Sequence, residues 1–319
     1  MLKATGEVVT TVKRYYQPLY WLIALLLICN NVKASDALLL LSADNPVYHS
    51  VAEAIIDQGP TMSIETSYPE DLADNAHQFT AYPLVIAVGS KATEQAMQFA
   101  AQDSVIVSTF IPSQRFHSLS KQYAASLTQR HIRTTAIYLD QPLERQLRLA
   151  KQIKPDLKRL GFSLGPDSEY QLPELQRIAI EMDLSLNYQT LTLESNPIQR
   201  ILPIIKKSDL FMVIPDQSTL NRTTAKWLLY MSLRNRVPLL AFTQNYVQAG
   251  AVAACITTPE DIGRYTAKQL HKIIQGTLPP PSYSPYFTII TNPRVARQLG
   301  LSIQTAQVLQ QIMVEGEPQ

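Results

Sequence analysis

The chain has 319 residues, a formal net charge of +2 and 46% hydrophobic residues, which is the composition of an ordinary globular protein. The charges are spread along the sequence, which excludes a basic stripe for nucleic acid and a charged block typical of disorder. A chain of this length can bury a large hydrophobic core without covalent cross-links.

The first 34 residues have the pattern of a cleaved signal peptide. Three basic residues precede an apolar run from Leu19 to Cys29. Val32 and Ala34 then stand at the −3 and −1 positions of a cleavage site. We therefore expect the protein to be exported, residues 1–34 to be removed, and the mature chain to begin near Ser35.

Two alternatives to cleavage involve the same segment. A retained anchor needs about 20 apolar residues, but Pro18 and Asn30 interrupt the run. A lipoprotein would carry its lipid on Cys29, but the preceding Ile28 is bulkier than the small residue that such signals have. Without this segment, Cys255 is the one remaining cysteine, so the mature chain can form no internal disulfide.

Apolar strands and amphipathic helices alternate in the first part of the chain, which is typical of a parallel sheet covered by helices. The predicted strands are Leu38–Leu41, Leu84–Val88 and Val105–Thr109. A helix is predicted over Val47–Gln58, with Asn45 as its cap and Pro46 at its first position. Ser90 is predicted to cap a second helix over Lys91–Ala101.

The alternation then restarts, which predicts a second α/β lobe. The predicted extended segments are Thr134–Leu139, Arg159–Leu164, Leu184–Leu193, Asp209–Ile214 and Val237–Phe242. Four helices are predicted: one begins at Pro142, and the others cover Glu174–Met182, Ile198–Lys206 and Thr224–Asn235. In the first of these helices, Glu144 and Arg148 are spaced to form an ion pair on the outer face.

The last segment carries a further helix and a tail. Thr258 is predicted to cap a helix that starts at Pro259 and ends near Gly276. Three consecutive prolines then stiffen an extended connector. A strand over Tyr286–Thr291 and a helix over Arg294–Leu299 follow. The pattern leaves open which lobe this tail joins.

Several segments occur in an order and spacing that resembles a known family. They are Glu144–Gly161, Asp209–Asp216, Val237–Phe242, Val247–Ala251, Asp261–Arg264, and Asn292 followed by Leu299–Leu301. Together they resemble the periplasmic substrate-binding proteins of the uncharacterised ABC-transporter type that includes tryptophan-binding members. The resemblance is strongest between residues 134 and 303, and it rests on order and spacing rather than on one short motif.

The resemblance implies a type I periplasmic binding protein fold, with two Rossmann-like α/β lobes of parallel sheet joined by a multi-strand hinge. It assigns residues 35–136 and 258–288 to the first lobe, and residues 137–257 and 289–319 to the second. It also implies that hinge closure captures a small organic ligand, amino-acid-like or aromatic, for delivery to an ABC permease. The expected protein is a monomer without a cofactor or metal.

Three positions depart from the family pattern. Residues 129–134 stand where a glycine-rich turn is usual, Phe110–Ile111 replaces a polar Ser-Asp pair, and Gly165–Pro166 replaces Asn-Pro. These changes favour an alternative function, in which the same fold senses a ligand for a membrane-bound signalling receptor. The fold by itself does not separate the two functions.

Loops at the carboxyl ends of parallel strands line the ligand crevice, so candidate ligand residues follow from the predicted strands. In the first lobe they are Asn45, Tyr48, Ser90, Thr93 and Phe110. Ser90 lies at a helix N-terminus, where free N–H groups and a partial positive charge can hold a ligand carboxylate. The alternative for Ser90 is a helix cap without a ligand.

The second lobe supplies the other candidates, which are Asp167, Asp216, Gln217, Ser218, Asn245, Tyr246 and Gln248. Asp216 can accept hydrogen bonds from a ligand ammonium group, opposite a carboxylate held by the first lobe. The alternative is an aspartate that caps a turn after Pro215. Tyr48, Phe110 and Tyr246 are candidate apolar walls for a flat ligand, and each is equally a candidate for the core.

Motifs for catalysis are absent from the sequence. It contains no nucleophile elbow, zinc-protease motif, phosphate-binding Walker loop or dinucleotide-binding glycine motif, and its five histidines lack metal-ligand spacing. His49 and His117 lie near predicted cleft loops and are interpreted as helix-surface residues. The sequence therefore predicts a binding protein rather than an enzyme.

Overall fold

The computed structural model describes residues 35–72, 82–216 and 220–317, so the predicted signal peptide lies outside the described residues. Asp36–Gln319 belongs to one structural unit. Two six-stranded sheets organise this unit, and helices pack against both of them. No helix of the described segments is long and apolar enough to cross a membrane.

The first sheet is built mainly from the early part of the chain. Its first five strands are β1 (Ala37–Leu41), β2 (Ile64–Ser67), β3 (Leu84–Val88), β4 (Val105–Ile111) and β5 (Arg133–Tyr138). They are parallel in the order β2-β1-β3-β4-β5. The connecting helices are α1 (Pro46–Gln58), α2 (Pro69–Leu72), α3 (Ser90–Phe99) and α4 (Ser113–Gln129). Every residue of β1 and β3 is buried, because helices cover both faces of the sheet.

The second sheet repeats this plan. Its first five strands are β6 (Arg159–Leu164), β7 (Ser185–Thr190), β8 (Leu210–Met212), β9 (Leu239–Ala241) and β10 (Ala253–Ile256). They are parallel in the order β7-β6-β8-β9-β10. Its helices are α5 (Leu143–Ile153), α6 (Leu172–Glu181), α7 (Pro197–Lys207), α8 (Arg222–Arg234) and α9 (Gln244–Ala249). We call each sheet with its helices a lobe.

The end of the chain contributes to both lobes. Helix α10 (Pro259–Ile274) packs on α1, and β11 (Ser282–Tyr283) pairs in parallel with β5 of the first sheet. The strand β12 (Thr288–Thr291) is antiparallel to β10 of the second sheet, and α11 (Pro293–Gln298) and α12 (Ala306–Glu315) follow it. Since α12 packs on β12 and α5, the tail joins the second lobe.

The local signals at helix ends explain where several elements begin and stop. As predicted, the Asn45 side chain accepts a hydrogen bond from Tyr48 N and caps α1, and the Thr258 side chain caps α10. Gly276, with a φ of +89°, follows the end of α10 as predicted. Within α10, a Cβ on Gly263 would lie 2.5 Å from the Val51 carbonyl oxygen, so a glycine is required where α10 crosses α1.

The chain passes between the lobes three times, at residues 139–142, 257–258 and 284–287, which we call the crossings. Gln141 Nε2 donates to Thr257 Oγ1 at 2.5 Å, and Thr257 Oγ1 donates to the Tyr286 carbonyl at 2.9 Å. The buried Arg145 donates to Gln141 Oε1 at 2.6 Å and to the Ser284 carbonyl at 3.1 Å. Side-chain hydrogen bonds therefore connect all three crossings.

One prediction on the helices is corrected by the structure. Arg148 pairs with Glu317 at 2.9 Å and also bonds the Met313 carbonyl, so its partner is not the predicted Glu144. The predicted ion pair used local spacing, whereas the actual partner lies far along the chain. The sequence analysis also does not identify helices α2, α4, α9 and α12.

Candidate functional site

A cavity of about 220 Å³ lies between the two sheets, and we call it the central cavity. From the first lobe and its crossing it is lined by Pro112, which follows β4, and by Leu139–Gln141, which follow β5. These segments come directly after the carboxyl ends of parallel strands. That is where ligands bind in open α/β sheets.

The opposite wall of the central cavity comes from the second lobe. It is formed by Pro215, Phe242–Gln244 and Cys255–Thr257. Thr243 is held in place because its side chain caps α9 by accepting a hydrogen bond from Tyr246 N. The wall is mostly apolar with a few polar groups, which is the usual composition of a small-molecule pocket.

Among the described residues, Asp140 is the one charged residue that lines the central cavity, and its carboxylate is hydrogen-bonded within the protein. It accepts hydrogen bonds from Ser113 N at 2.6 Å and from Ser113 Oγ at 2.5 Å. Burial raises the pKa of Asp140, and the hydrogen bonds from Ser113 partly oppose this shift. Because Pro112 has no capping side chain, Asp140 serves instead to fix the first turn of α4.

Three contacts next to the central cavity join the lobes directly. The hydroxyls of Ser113 and Tyr170 are 3.2 Å apart, and the His117 ring stacks on Tyr170 with centroids 5.4 Å apart. Gln114 Nε2 donates to the Pro215 carbonyl at 3.4 Å. The first turns of α4 therefore contact two loops of the second lobe, those after β6 and β8.

A side cavity of about 510 Å³ lies beside these contacts. It is more polar than the central cavity, and both lobes contribute to it. Its lining includes Arg115, His117 and Lys121 on α4, and Asp167 and Tyr170 on the second lobe. Predicted to be a helix-surface residue, His117 is exposed and at the same time lines this cavity.

Ser90, a predicted ligand residue, is also expected to cap helix α3, but it does not occupy the cap position. The residue is the first of α3, and the cap position belongs to Gly89, whose φ is +91°. The N–H of Ala92 is satisfied by Ser42 Oγ at 2.9 Å. The prediction that Ser90 caps this helix is therefore wrong, because a glycine turn and a hydroxyl from the loop after β1 replace a local cap.

The other candidates of the first lobe have mainly structural contacts. Thr93 is fully buried, and its hydroxyl donates to the Gly89 carbonyl at 2.9 Å. Asn45 uses its side chain to cap α1. Tyr48 and Phe110 are half-buried and pack edge to face, with centroids 5.9 Å apart. None of these residues lines the central cavity, so their role in binding stays a prediction.

Asp216 holds a turn in the second lobe. It is buried, and its carboxylate accepts hydrogen bonds from Ser168 Oγ at 2.8 Å and Asp167 N at 3.1 Å. The Asp216 carbonyl also accepts a bond from Leu220 N. This geometry supports the alternative of a turn-forming aspartate, and a contact with a ligand stays a prediction.

The remaining candidates are dispersed. Asp167 is exposed and lines the side cavity. Asn245 and Tyr246 line a third cavity, of about 580 Å³, between α8 and α9, which we call the helical cavity. Gln248 is exposed on α9. The candidates Gln217 and Ser218 lie outside the described residues.

None of the described candidate residues predicted from the sequence lines the central cavity, but several lie one or two positions from residues that do. Pro112 is two residues from Phe110, Pro215 precedes Asp216, and Gln244 precedes Asn245. The signal that identifies the loops is the end of each strand. The end of a strand also marks the crossing residues that line the cavity, since Leu139–Gln141 follow β5 and Thr257 follows β10. Among the described residues, no cluster of potential ligands for a metal is present.

Two mostly parallel sheets, with a cavity and three crossings between them, define the periplasmic binding protein class. The chain belongs to the family of ABC transporter substrate binding proteins, whose family model matches residues 53–313. A search of curated proteins found no match to this sequence.

Solved structures support the same fold. A conserved domain protein from Vibrio cholerae is 20% identical, with a TM-score of 0.58 over 86% of this chain and 98% of the other. A substrate binding protein with adhesive properties from Clostridium difficile, in a ligand-free open form, is 17% identical, with a TM-score of 0.65 over 85% and 96%. An ABC domain from Streptococcus pneumonia in complex with L-Trp is 16% identical, with a TM-score of 0.55 over 85% and 96%.

Proposed function

We propose that this protein is a periplasmic solute-binding protein that captures a small organic ligand, amino-acid-like or aromatic, and delivers it to an ABC importer. The observation that supports this most directly is the central cavity, since both lobes and two of the crossings contribute to its walls. A ligand held there contacts both lobes at once, so its binding favours the closed arrangement of the hinge.

Several further parts of the proposal follow from the same family and from the sequence. We propose that residues 1–34 direct export and are removed, and that the mature protein is a monomer. We also propose that the first lobe comprises residues 35–136 and 258–288 and the second residues 137–257 and 289–319. The membership of β11 in the first sheet and of β12 in the second supports this division, except that β5 and β12 move residues 137–138 to the first lobe and residue 288 to the second.

A ligand screen tests the proposal. Amino acids, aromatic acids, nucleosides and small peptides are added to the purified protein, and thermal unfolding is recorded. A ligand that binds the folded chain and not the unfolded one stabilises it by about 2.7 kcal/mol at a hundredfold excess over Kd. The binding function is contradicted if no compound stabilises the protein, or if the best compound is chemically converted during incubation.

Two glutamines on α9 make a matched pair for locating the ligand. Both are exposed, but Gln244 lines the central cavity, and Gln248 does not. For the compound found in the screen, we expect Gln244→Ala to weaken binding by about 0.5–1.5 kcal/mol, the usual net contribution of one hydrogen bond. Gln248→Ala should bind like the parent. If Gln248→Ala instead weakened binding and Gln244→Ala did not, the ligand would lie at Gln248, the residue predicted from the sequence.

Delivery to an importer requires a second measurement. The ligand-loaded protein should be retained by membranes that contain its cognate permease and should raise the ATPase rate of the transporter. If it instead raises the activity of a membrane-bound kinase or cyclase and has no effect on a permease, the sensing function replaces transport.

A further inference from the structure

The helical cavity differs from the central cavity in that a single lobe forms it. Its lining residues come from the second lobe alone, on α8, α9 and the segments that precede them. Its volume of about 580 Å³ is within the range of small-molecule pockets. A ligand there needs no contribution from the first lobe, so its binding does not depend on closure.

The floor of the helical cavity is apolar and partly aromatic. Leu229 on α8 contributes an aliphatic side chain, and Phe242 and Tyr246 lie with ring centroids 5.3 Å apart at an angle of 43°. Burial raises the pKa of the Tyr246 hydroxyl to about 12, so this ring carries no charge at neutral pH. Two adjacent aromatic rings favour contact with a flat apolar group.

The rim of the helical cavity is cationic. Arg222 and Lys226 are four residues apart on α8, so they project from the same side of the helix, and both are exposed. Neither makes an ion pair within the described parts of the chain, and no acidic residue lines the cavity. Two cations without a carboxylate partner therefore stand beside an aromatic floor.

We propose that the helical cavity is a second binding site, which takes a flat aromatic monocarboxylate. The aromatic group lies against Phe242 and Tyr246, and the carboxylate pairs with Arg222 and Lys226 through charge-assisted hydrogen bonds. The site shares Phe242 with the central cavity, but all its other lining residues differ. It goes beyond the proposed function because it binds its ligand on one lobe.

Isothermal titration calorimetry on the full chain tests this proposal with 2-naphthoate as the probe and the neutral 2-naphthamide as its analogue. We expect saturable binding of 2-naphthoate and binding of 2-naphthamide that is at least about tenfold weaker, because the amide lacks the charge. The double variant Arg222→Gln/Lys226→Gln should likewise lose at least about tenfold in affinity for 2-naphthoate. Both side chains are exposed, so the variant is expected to fold.

A matched control removes the same charge elsewhere on the second lobe. Arg200 and Lys206 are exposed on α7 and do not line the helical cavity, so Arg200→Gln/Lys206→Gln should bind 2-naphthoate like the parent. Gln244→Ala, which alters the central cavity, should also leave this affinity unchanged. That result separates the second site from the proposed function, because either can fail without the other.

Four outcomes overturn the proposal. They are no saturable binding of 2-naphthoate, equal affinity for the amide, unchanged affinity in the Arg222/Lys226 variant, and a loss of affinity in Gln244→Ala that matches the loss in that variant. The last result would assign the aromatic acid to the central cavity.

Discussion

Two residues at the ends of neighbouring strands have left-handed backbone conformations. Gly89 follows β3 with a φ of +91°, and Phe110 lies in β4 with a φ of +55°. A bulky side chain in this region is energetically unfavourable, and such strain is common at binding sites. At Phe110 the pairing of β4 with β5 also shifts register, between Thr109 and Ile111. The left-handed conformation of Phe110 and the register shift lie directly before Pro112, which lines the central cavity.

Gly89 allows a direct prediction about packing. A Cβ at this position would lie 2.6 Å from Ser42 Oγ and 2.9 Å from Tyr48 Cε1, and the left-handed φ adds strain. Gly89→Ala should therefore lower the free energy of unfolding by about 1–3 kcal/mol, as overpacking usually does. Urea unfolding measures this loss.

Gly276→Ala is the control, because it measures the cost of the left-handed backbone conformation without new side-chain contacts. Gly276 has a similar φ of +89°, but a Cβ added at this position would have no other atom within 4 Å. It should lose about 1 kcal/mol from the unfavourable backbone conformation alone. Equal losses in the two variants would show that contacts with Ser42 and Tyr48 contribute nothing.

Cys255 is predicted to be inert. It is buried, and burial raises the pKa of its thiol to about 12, so almost no thiolate is present at neutral pH. In the folded protein, iodoacetamide at pH 8 should leave the Cys255 peptide unmodified, and reductant should not change the melting temperature. Mass mapping of that peptide after labelling with and without urea is the measurement. Rapid labelling without urea would show that the central cavity exposes the sulfur.

At the scale of elements, the segment that follows α12 is held to α5 by one carboxylate and two arginines. Glu317 accepts hydrogen bonds from Arg145 at 2.7 and 2.9 Å and from Arg148 at 2.9 Å. The Arg145 guanidinium also lies 4.3 Å from the centroid of the Phe287 ring. The side chain of Arg145 is only 5% exposed, so it depends on this carboxylate to balance its charge.

Glu317→Gln should lower the free energy of unfolding by about 1.5–3 kcal/mol, the usual range for hydrogen bonds to a charged group. Glu315→Gln is the control, because Glu315 is exposed at the end of α12, two positions before Glu317, and bonds only to Gln311 among the described residues. Chemical unfolding at neutral pH compares the two. Equal stability of both variants would contradict the fastening role of Glu317.

The interaction of Glu317 with Arg145 and Arg148 predicts that stability depends on pH. Burial raises the pKa of Glu317, but its hydrogen bonds and charge interactions with Arg145 and Arg148 outweigh this, so the pKa lies below the ordinary value of 4.5. The unfolded chain therefore binds the proton more readily. The contribution of Glu317 to stability is complete above pH 4.5 and is lost as the pH falls through the lowered pKa. This loss should be absent in Glu317→Gln when unfolding is followed at decreasing pH.

Elements with local signals could be predicted, and elements with distant partners could not. The caps at Asn45 and Thr258 depend on side chains within three residues of their partners, and both are confirmed. The cap of α3 comes instead from Ser42, 50 positions away, and the partner of Arg148 is Glu317. Spacing along one helix cannot reveal such partners.

On the scale of the whole molecule, Gln141 connects the three crossings. It bonds to Thr257, which bonds to Tyr286, and it also accepts from Arg145. Gln141→Ala should break this network and increase amide hydrogen exchange at residues 139–142, 257–258 and 284–287. The expected loss of opening free energy there is about 1–3 kcal/mol, because buried partners are left unsatisfied. Exchange limited to residues near 141 would show that the crossings act independently.

The central cavity marks the limit of inference from the sequence. The strand ends point to the loops at Phe110, Asp216 and Asn245, and each of these loops contributes a neighbouring residue to the wall of the central cavity. Which side chain of each loop faces the cavity depends on how the lobes meet, for example on the contact of Gln114 with the Pro215 carbonyl. A local pattern contains no information on that arrangement, and the family resemblance supplies the fold without the individual contacts.

The return of α10 and β11 to the first lobe has a consequence for the order of folding. Ser282 pairs with Ile137, and α10 covers α1, although these partners lie far apart along the chain. During synthesis, the first lobe stays incomplete until residue 283 has left the ribosome, so an edge of β5 and an apolar face of α1 remain exposed. The nascent chain therefore cannot complete one lobe before most of the other exists. Such delayed completion of the first lobe suits the export that we propose for this protein.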